Sequence, residues 1–239
     1  MLFHKIAIPN RFLFRIEMPC YYRENLDALK ELPPSYTFPD IELLENGDKS
    51  QETGVFSSPR SGSGSDGKSF QIRGAWNEKG IAFQFFVSGK TKTLWCSPHR
   101  PDESDRIELW LDTRNVHNVH RATRYCHRLI CLAEGMGDKG TEPTVISLPI
   151  NRAKQLPNEI PQGAIQVKSH VQRNCYSLFV YLSANALTGY DPTEFQDIGL
   201  TWALIDRDFP MKTLSAGAPF PFMEDPSLWY TIHLEQKEN

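Results

Sequence analysis

The feature that most constrains the fold is a succession of short strand-patterned segments that begins at Phe70 and runs almost to the end of the chain. SFQIRGAW is followed by GIAFQFFVSG, in which Ile81, Phe83, Phe85 and Val87 alternate with their neighbours, and then by RIELWLDT. TRYCHRLICLA, TVISLPI, AIQVKSHV, YSLFVYLS, IGLTWALIDRD and SLWYTIHLE complete the series. Alternation with period two is the signature of strands that bury one face. Turn residues separate the segments, as at Asn77-Glu78-Lys79-Gly80 and Arg173-Asn174, and Gly135-Met-Gly137-Asp-Lys-Gly140 reads as a hairpin tip. About ten short strands with almost no helical period predict an all-β fold, an antiparallel β-sandwich of jelly-roll type with very little helix. The helical candidates are short, Tyr22 to Leu32 and a turn at Ser183 to Leu187 that Ser183 would cap.

Residues 1–239 are expected to form a single domain. Phe12, Phe14, Ile16 and Met18 alternate with charged and apolar partners, so residues 1–39 are read as strands and turns docking onto the later sheet, since a lone strand cannot hide its apolar face. Residues 45–69 are expected to form a flexible loop, because the Ser57 to Ser69 stretch SSPRSGSGSDGKS holds no apolar side chain to offset the entropy of ordering. The core is assigned to residues 69–235.

Composition narrows the function classes. The chain has 26 Lys and Arg against 29 Asp and Glu, net charge −3, so no global positive field attracts phosphate backbones and nucleic acid is not an expected partner. No run of 18 apolar residues occurs, which argues against a membrane-spanning helix. The first residues show no basic segment leading into a clean apolar run, and Cys20, Cys96, Cys126, Cys131 and Cys175 form an odd set without a CxxC pair. Reduced thiols and a cytoplasmic location are the expectation.

Three places carry chemistry. In the strand from Arg106 to Thr113 the apolar set Ile107, Leu109 and Leu111 faces the core, which turns Glu108, Trp110 and Asp112 to the opposite face; Trp95, His99 and Arg100 lie just upstream. An indole beside acid and guanidinium groups suits a sugar, because the ring packs on the pyranose face and the charged groups bond its hydroxyls. The competing reading puts Trp110 beneath a covering loop and pairs Glu108 with an Arg across the sheet. The second place is the His-rich stretch 115–128, where His117, His120 and Cys126 are candidate metal ligands. A strand there sends Cys126 and His127 to opposite faces, which limits any common coordination sphere. The third is Asp206-Arg207-Asp208, two acids around an Arg, suited to glycoside hydrolysis or calcium but equally to a salt-bridged turn. GxSxG, HExxH, P-loop and GxGxxG patterns are absent, so no catalytic residue and no enzymatic reaction is assigned.

Taken in order, Trp76-Asn-Glu-Lys-Gly with IAFQFFVSG, the loop with Trp95, Asp105-Arg-Ile-Glu108-Leu-Trp-Leu-Asp112, Tyr176 to Leu187, Gly199 to Asp206 and Asp225-Pro-Ser-Leu-Trp229 resemble the family 9 carbohydrate-binding modules and the related DOMON-like β-sandwiches. The resemblance implies a non-catalytic binding module for a carbohydrate or other polyhydroxylated ligand. It carries the sugar-contacting positions onto Trp95, Glu108 and Arg128, with Trp110, His120, Arg124 and Phe222 nearby. Two positions depart from the pattern: Met223 stands where a second clamp Trp is expected, with Phe222 the nearest ring, and Ile130 stands where an amide is expected. No cofactor is expected on this reading. The DOMON side of the resemblance offers an alternative, haem or a divalent metal held by His117, His120 or Met223, and the Pro219-Phe-Pro-Phe222-Met segment offers another, a docking site for a protein partner.

Overall fold

A computed structural model describes residues 18–26, 36–38, 69–214 and 219–234. The alternating stretch before Met18, most of the Ser/Gly-rich loop and the second half of the Tyr22 to Leu32 helical candidate lie outside those residues. The described residues hold twelve strands: β1 (Met18–Tyr22), β2 (Tyr36–Phe38), β3 (Ser69–Asn77), β4 (Gly80–Ser88), β5 (Arg106–Asp112), β6 (Cys126–Met136), β7 (Glu142–Leu148), β8 (Ile165–Val171), β9 (Cys175–Ser183), β10 (Asp197–Asp206), β11 (Phe209–Thr213) and β12 (Tyr230–Leu234). The candidate helix at Ser183 shrinks to a single 3-10 turn over Ala184–Ala186. Ser183 caps nothing there, because its hydroxyl donates to the Ala164 carbonyl and meets the Asn185 side chain. Among the described residues no helix is long and apolar enough to cross a membrane.

The strands pair in the order β7-β6-β5-β10-β12-β1-β3-β4-β9-β8, with β11 on β10 and β2 on β3. Most neighbours are antiparallel, but β1 is parallel to both of its partners: Met18 to Cys20 follow β12, and Tyr21 and Tyr22 follow β3. The expected all-antiparallel sandwich is therefore a mixed, nearly closed sheet in which β1 passes from one half to the other. Alternation reveals which face a strand buries and is silent about the direction of its neighbour, so this pairing is not encoded in the pattern.

The two halves enclose one main core. Phe70, Ile72, Phe83, Phe85, Leu178 and Val180 meet Ile107, Leu109, Leu111, Leu129, Leu200 and Trp202, and the rings of Phe70 and Trp202 lie 4.7 Å apart. Each such side chain contributes about 1.5–3 kcal/mol on burial. The Gly135 to Gly140 tip closes the β6–β7 hairpin, with Gly137 at φ 75° in a left-handed turn that a side chain there would strain.

A second, smaller core lies on the outer face of β5, β6 and β10. Trp110, Ala122, Cys126, Ile150, Ala203, Phe222 and Trp229 pack there, so every residue of β5 is buried. The roof is built from the connections on either side of β6 and β7 and from residues 219–229. Phe222 stands edge-on to Trp110 with ring centroids 5.6 Å apart, and the Trp229 indole N–H donates to the Phe222 carbonyl at 2.7 Å. This corrects the expectation of Trp110 and Phe222 as ligand-facing rings. Trp110 does point away from the main core, as alternation requires, but it is sealed beneath its roof, as the competing covering-loop reading has it.

Candidate functional site

The site is built on β5 and β6. Arg106 and Glu108 are two residues apart on β5 and so share a face, while Arg128 on β6 is the direct cross-strand partner of Trp110 and lies diagonally beside Glu108. Glu108 is fully buried, and each of its oxygens takes a guanidinium: Arg106 Nε donates to Oε1 at 2.6 Å and Arg128 Nε to Oε2 at 3.1 Å. Glu108 therefore does not meet solvent. Its acid pairs with an Arg across the sheet and with another on its own strand.

The loop that leads into β5 completes the cluster. Its 3-10 turn over Pro101–Glu103 presents the Asp102 carbonyl to Arg106 Nη1 at 2.7 Å and the Asp102 carboxylate to Arg128 Nη2 at 3.1 Å. Exposure grades outward along this chain: the side chain is 0% exposed at Glu108, 20% at Arg128 and 67% at Asp102. A buried anion thus fixes a half-sunken cation, whose outer edge sits beside an acceptor open to water. Two cations and two anions leave the cluster electrically balanced.

Trp95 stands at the entrance to β5 but is held through other partners. Its backbone N–H and carbonyl bond the Asp105 carboxylate and N–H at 2.9 and 2.8 Å, and its half-exposed ring carries Arg100 and Arg207 at 5.2 and 5.7 Å. Asp105 alternates with Arg106, so the anchor of Trp95 points to the opposite face from Glu108. Among the described residues Arg100 has one charge partner, Glu103, an exposed residue on the same turn, so the pair is a weak one.

The remaining candidates are dispersed. Arg124 donates to the Asn158 side chain, His117 Nε2 meets Thr231 Oγ1 at 2.9 Å, and Cys126 is buried with its thiol pushed up to about 12 by desolvation. His120 Nδ1 lies 3.1 Å from both Asp225 Oδ2 and Ser227 Oγ. This Ser–His–Asp grouping cannot relay a proton between acid and hydroxyl, because both crowd one ring nitrogen. Among the described residues no three His, Cys, Asp or Glu side chains gather as a metal site. Met223 packs partly buried against the second core.

Asp206 and Asp208 do not pair with Arg207. Arg207 bonds Asp105, while both acids gather around Lys90, a residue to which no sequence pattern draws attention because it lies 116 positions away. His127 was also silent: its Nε2 accepts the Thr188 backbone N–H at 3.0 Å, and burial lowers its pKa to about 4.

No protein-family model matches the sequence, and no curated protein matches it significantly. Solved structures do match. A family 9 carbohydrate-binding module from Caldicellulosiruptor kristjanssonii in complex with glucose superposes with a TM-score of 0.51 at 11% identity, over 75% of this chain and 82% of that one. The same kind of module from that organism in complex with cellotriose gives 0.48 at 12% identity, over 75% and 80%. The chain thus has a fold of the family 9 carbohydrate-binding type.

Proposed function

We propose that the protein is a non-catalytic carbohydrate-binding module whose ligand sits at the outer edge of the Glu108–Arg128–Asp102 chain. The observation that carries this reading is Arg128: its guanidinium is tied from behind by Glu108 and from the side by Asp102, while Nη1 has no hydrogen-bond partner among the described residues. A fixed donor beside an open carboxylate suits the adjacent hydroxyls of a sugar, one accepting from Arg128 and one donating to Asp102. Glu108 is then a positioning residue that holds the guanidinium, rather than a contact. Trp95, anchored on the opposite face through Asp105, can add a stacking ring only by the side that Arg100 covers, a displacement that costs on the order of 1 kcal/mol. The likeness of fold supports the class of ligand and leaves its identity to experiment.

A glycan array probed with the wild type, Arg128→Met and Trp95→Ala tests the proposal. The wild type should bind at least one neutral glycan, Arg128→Met should lose it, and Trp95→Ala should weaken it at least tenfold. A wild type that binds no glycan, or an Arg128→Met variant that binds as well as the wild type, contradicts it.

A further inference from the structure

The chain carries a net charge of −3, yet between Asp112 and Glu134 it holds four arginines, three histidines and no acid. Two of those arginines are tied down: Arg128 is held by Glu108 and Asp102, and Arg114 lies against the rings of Tyr125 and Phe195 with Nη1 on the Gly189 carbonyl. Arg121 and Arg124 are placed differently. They stand in the loop before β6, which runs beside the loop after β7. Arg121 Nε donates to the Arg152 carbonyl at 2.8 Å, the Lys154 backbone N–H donates to the Ala122 carbonyl at 2.8 Å, and Arg124 Nη2 donates to Asn158 Oδ1 at 3.2 Å. These contacts advance along both loops together, so the cations line one strip, at most about 20 Å long from Arg152 to Asn158. Arg121, Arg124 and Lys154 are exposed and have no acidic partner among the described residues. The acids of the roof are engaged elsewhere: Glu224 accepts from Asn151 at 2.6 Å and lies 4.0 Å from Arg152 Nη1, and Asp225 meets His120.

We propose that this strip is a second binding surface, for an acidic polysaccharide that bears carboxylate or sulfate groups. Three unpaired cations give a local excess of positive charge on a molecule that is negative as a whole, so a polyanion is drawn to this strip in preference to the rest of the surface. Arg121 is anchored through Nε, which leaves its two terminal nitrogens as the pair that fits two oxygens of one carboxylate or sulfate. Both arginines are held before a ligand arrives, so less side-chain freedom is lost on binding. The exposed amides of Gln155 and Asn158 stand among the cations, and an amide both donates to and accepts from sugar hydroxyls. A phosphate backbone fits less well, because it asks for a long basic track and Glu159 and Glu224 border this one. A lipid surface also fits less well: interfacial binding needs an apolar face, and between residues 151 and 158 Leu156 is the one large apolar side chain that is exposed. The strip uses none of the residues of the Arg128–Asp102 edge, and the proposal does not rest on that edge.

Titration of the full chain with polygalacturonate, dextran sulfate and uncharged dextran is the test. The wild type should bind at least one of the two polyanions more tightly than uncharged dextran, and the stronger of the two tells carboxylate from sulfate. That affinity should fall about tenfold between about 50 and 200 mM salt, as counterions are released. A triple variant, Arg121→Gln with Arg124→Gln and Lys154→Gln, should lose at least tenfold. A second triple variant, Lys79→Gln with Lys139→Gln and Arg173→Gln, removes the same charge from three hairpin tips and should stay within twofold of the wild type. All six positions are exposed, so both variants keep the buried cores intact. A wild type that prefers neither polyanion to dextran overturns the proposal, as does equal weakening by the two triple variants. Tighter binding to phosphatidylserine vesicles or to single-stranded DNA than to either acidic polysaccharide overturns it as well.

Discussion

Glu108 illustrates how a single acidic side chain can matter without being reached by a ligand. Fully buried between two guanidiniums, it keeps Arg106 and Arg128 in place, and removing it leaves Arg106 with backbone carbonyls and Arg128 with the exposed Asp102 as their remaining partners named above. Glu108→Ala should therefore cost about 3–5 kcal/mol of stability. Asp102→Ala, two-thirds exposed, should cost less than about 1 kcal/mol, as surface pairs do. Urea unfolding of the two variants measures the contrast, and equal costs would mean that Glu108 is not the anchor. His127 gives the residue scale a pH signature. Its folded pKa, lowered by burial to about 4, lies below the ordinary value of 6.5, so between the two the unfolded chain holds more protons. Stability from this residue is complete above about pH 6.5 and is lost progressively as pH falls toward 4, a change on the order of 3 kcal/mol. Urea melts at pH 7 and pH 4.5 should show that loss in the wild type and a smaller one in His127→Gln.

Strands are the elements most legible in the sequence, and β5 shows where that legibility stops. The alternation of Ile107, Leu109 and Leu111 correctly gives their common face, and the same pattern puts Glu108 and Trp110 on the other. It does not say whether that other face meets water, because the segment that covers it, Phe222 to Trp229, is remote in the chain and carries no period of its own. For the same reason the pattern finds the two acids at the end of β10 but not Lys90, whose proximity depends on how two distant strand ends meet. The roofing segment makes a prediction at this scale. Phe222→Ala should cost about 3–5 kcal/mol as a large buried ring is lost, and should open Trp110 to water. Denaturant midpoints and a red-shifted tryptophan emission would report both effects; an unshifted spectrum would mean that Trp110 keeps its cover by other contacts.

At the scale of the whole molecule, the fold class follows from spacing and composition, whereas the near closure of the sheet does not. Nothing in Met18 to Tyr22 announces that one strand runs parallel to β12 and then to β3, since pairing direction is settled by long-range packing. The site lies within the first half of that sheet, where a doubly covered strand ends and its entry loop emerges, so a rigid buried charge is delivered to a surface edge. On the proposed reading a glycan meets this edge and not the sealed indole face beside it. Side-chain NMR of the labelled wild type during titration with a glycan that the array selects is the measurement closest to that contact. The Arg128 Nε–H signal should move on saturation while the Trp110 indole signal stays fixed; a Trp110 signal that moves with Arg128 unchanged would contradict the reading.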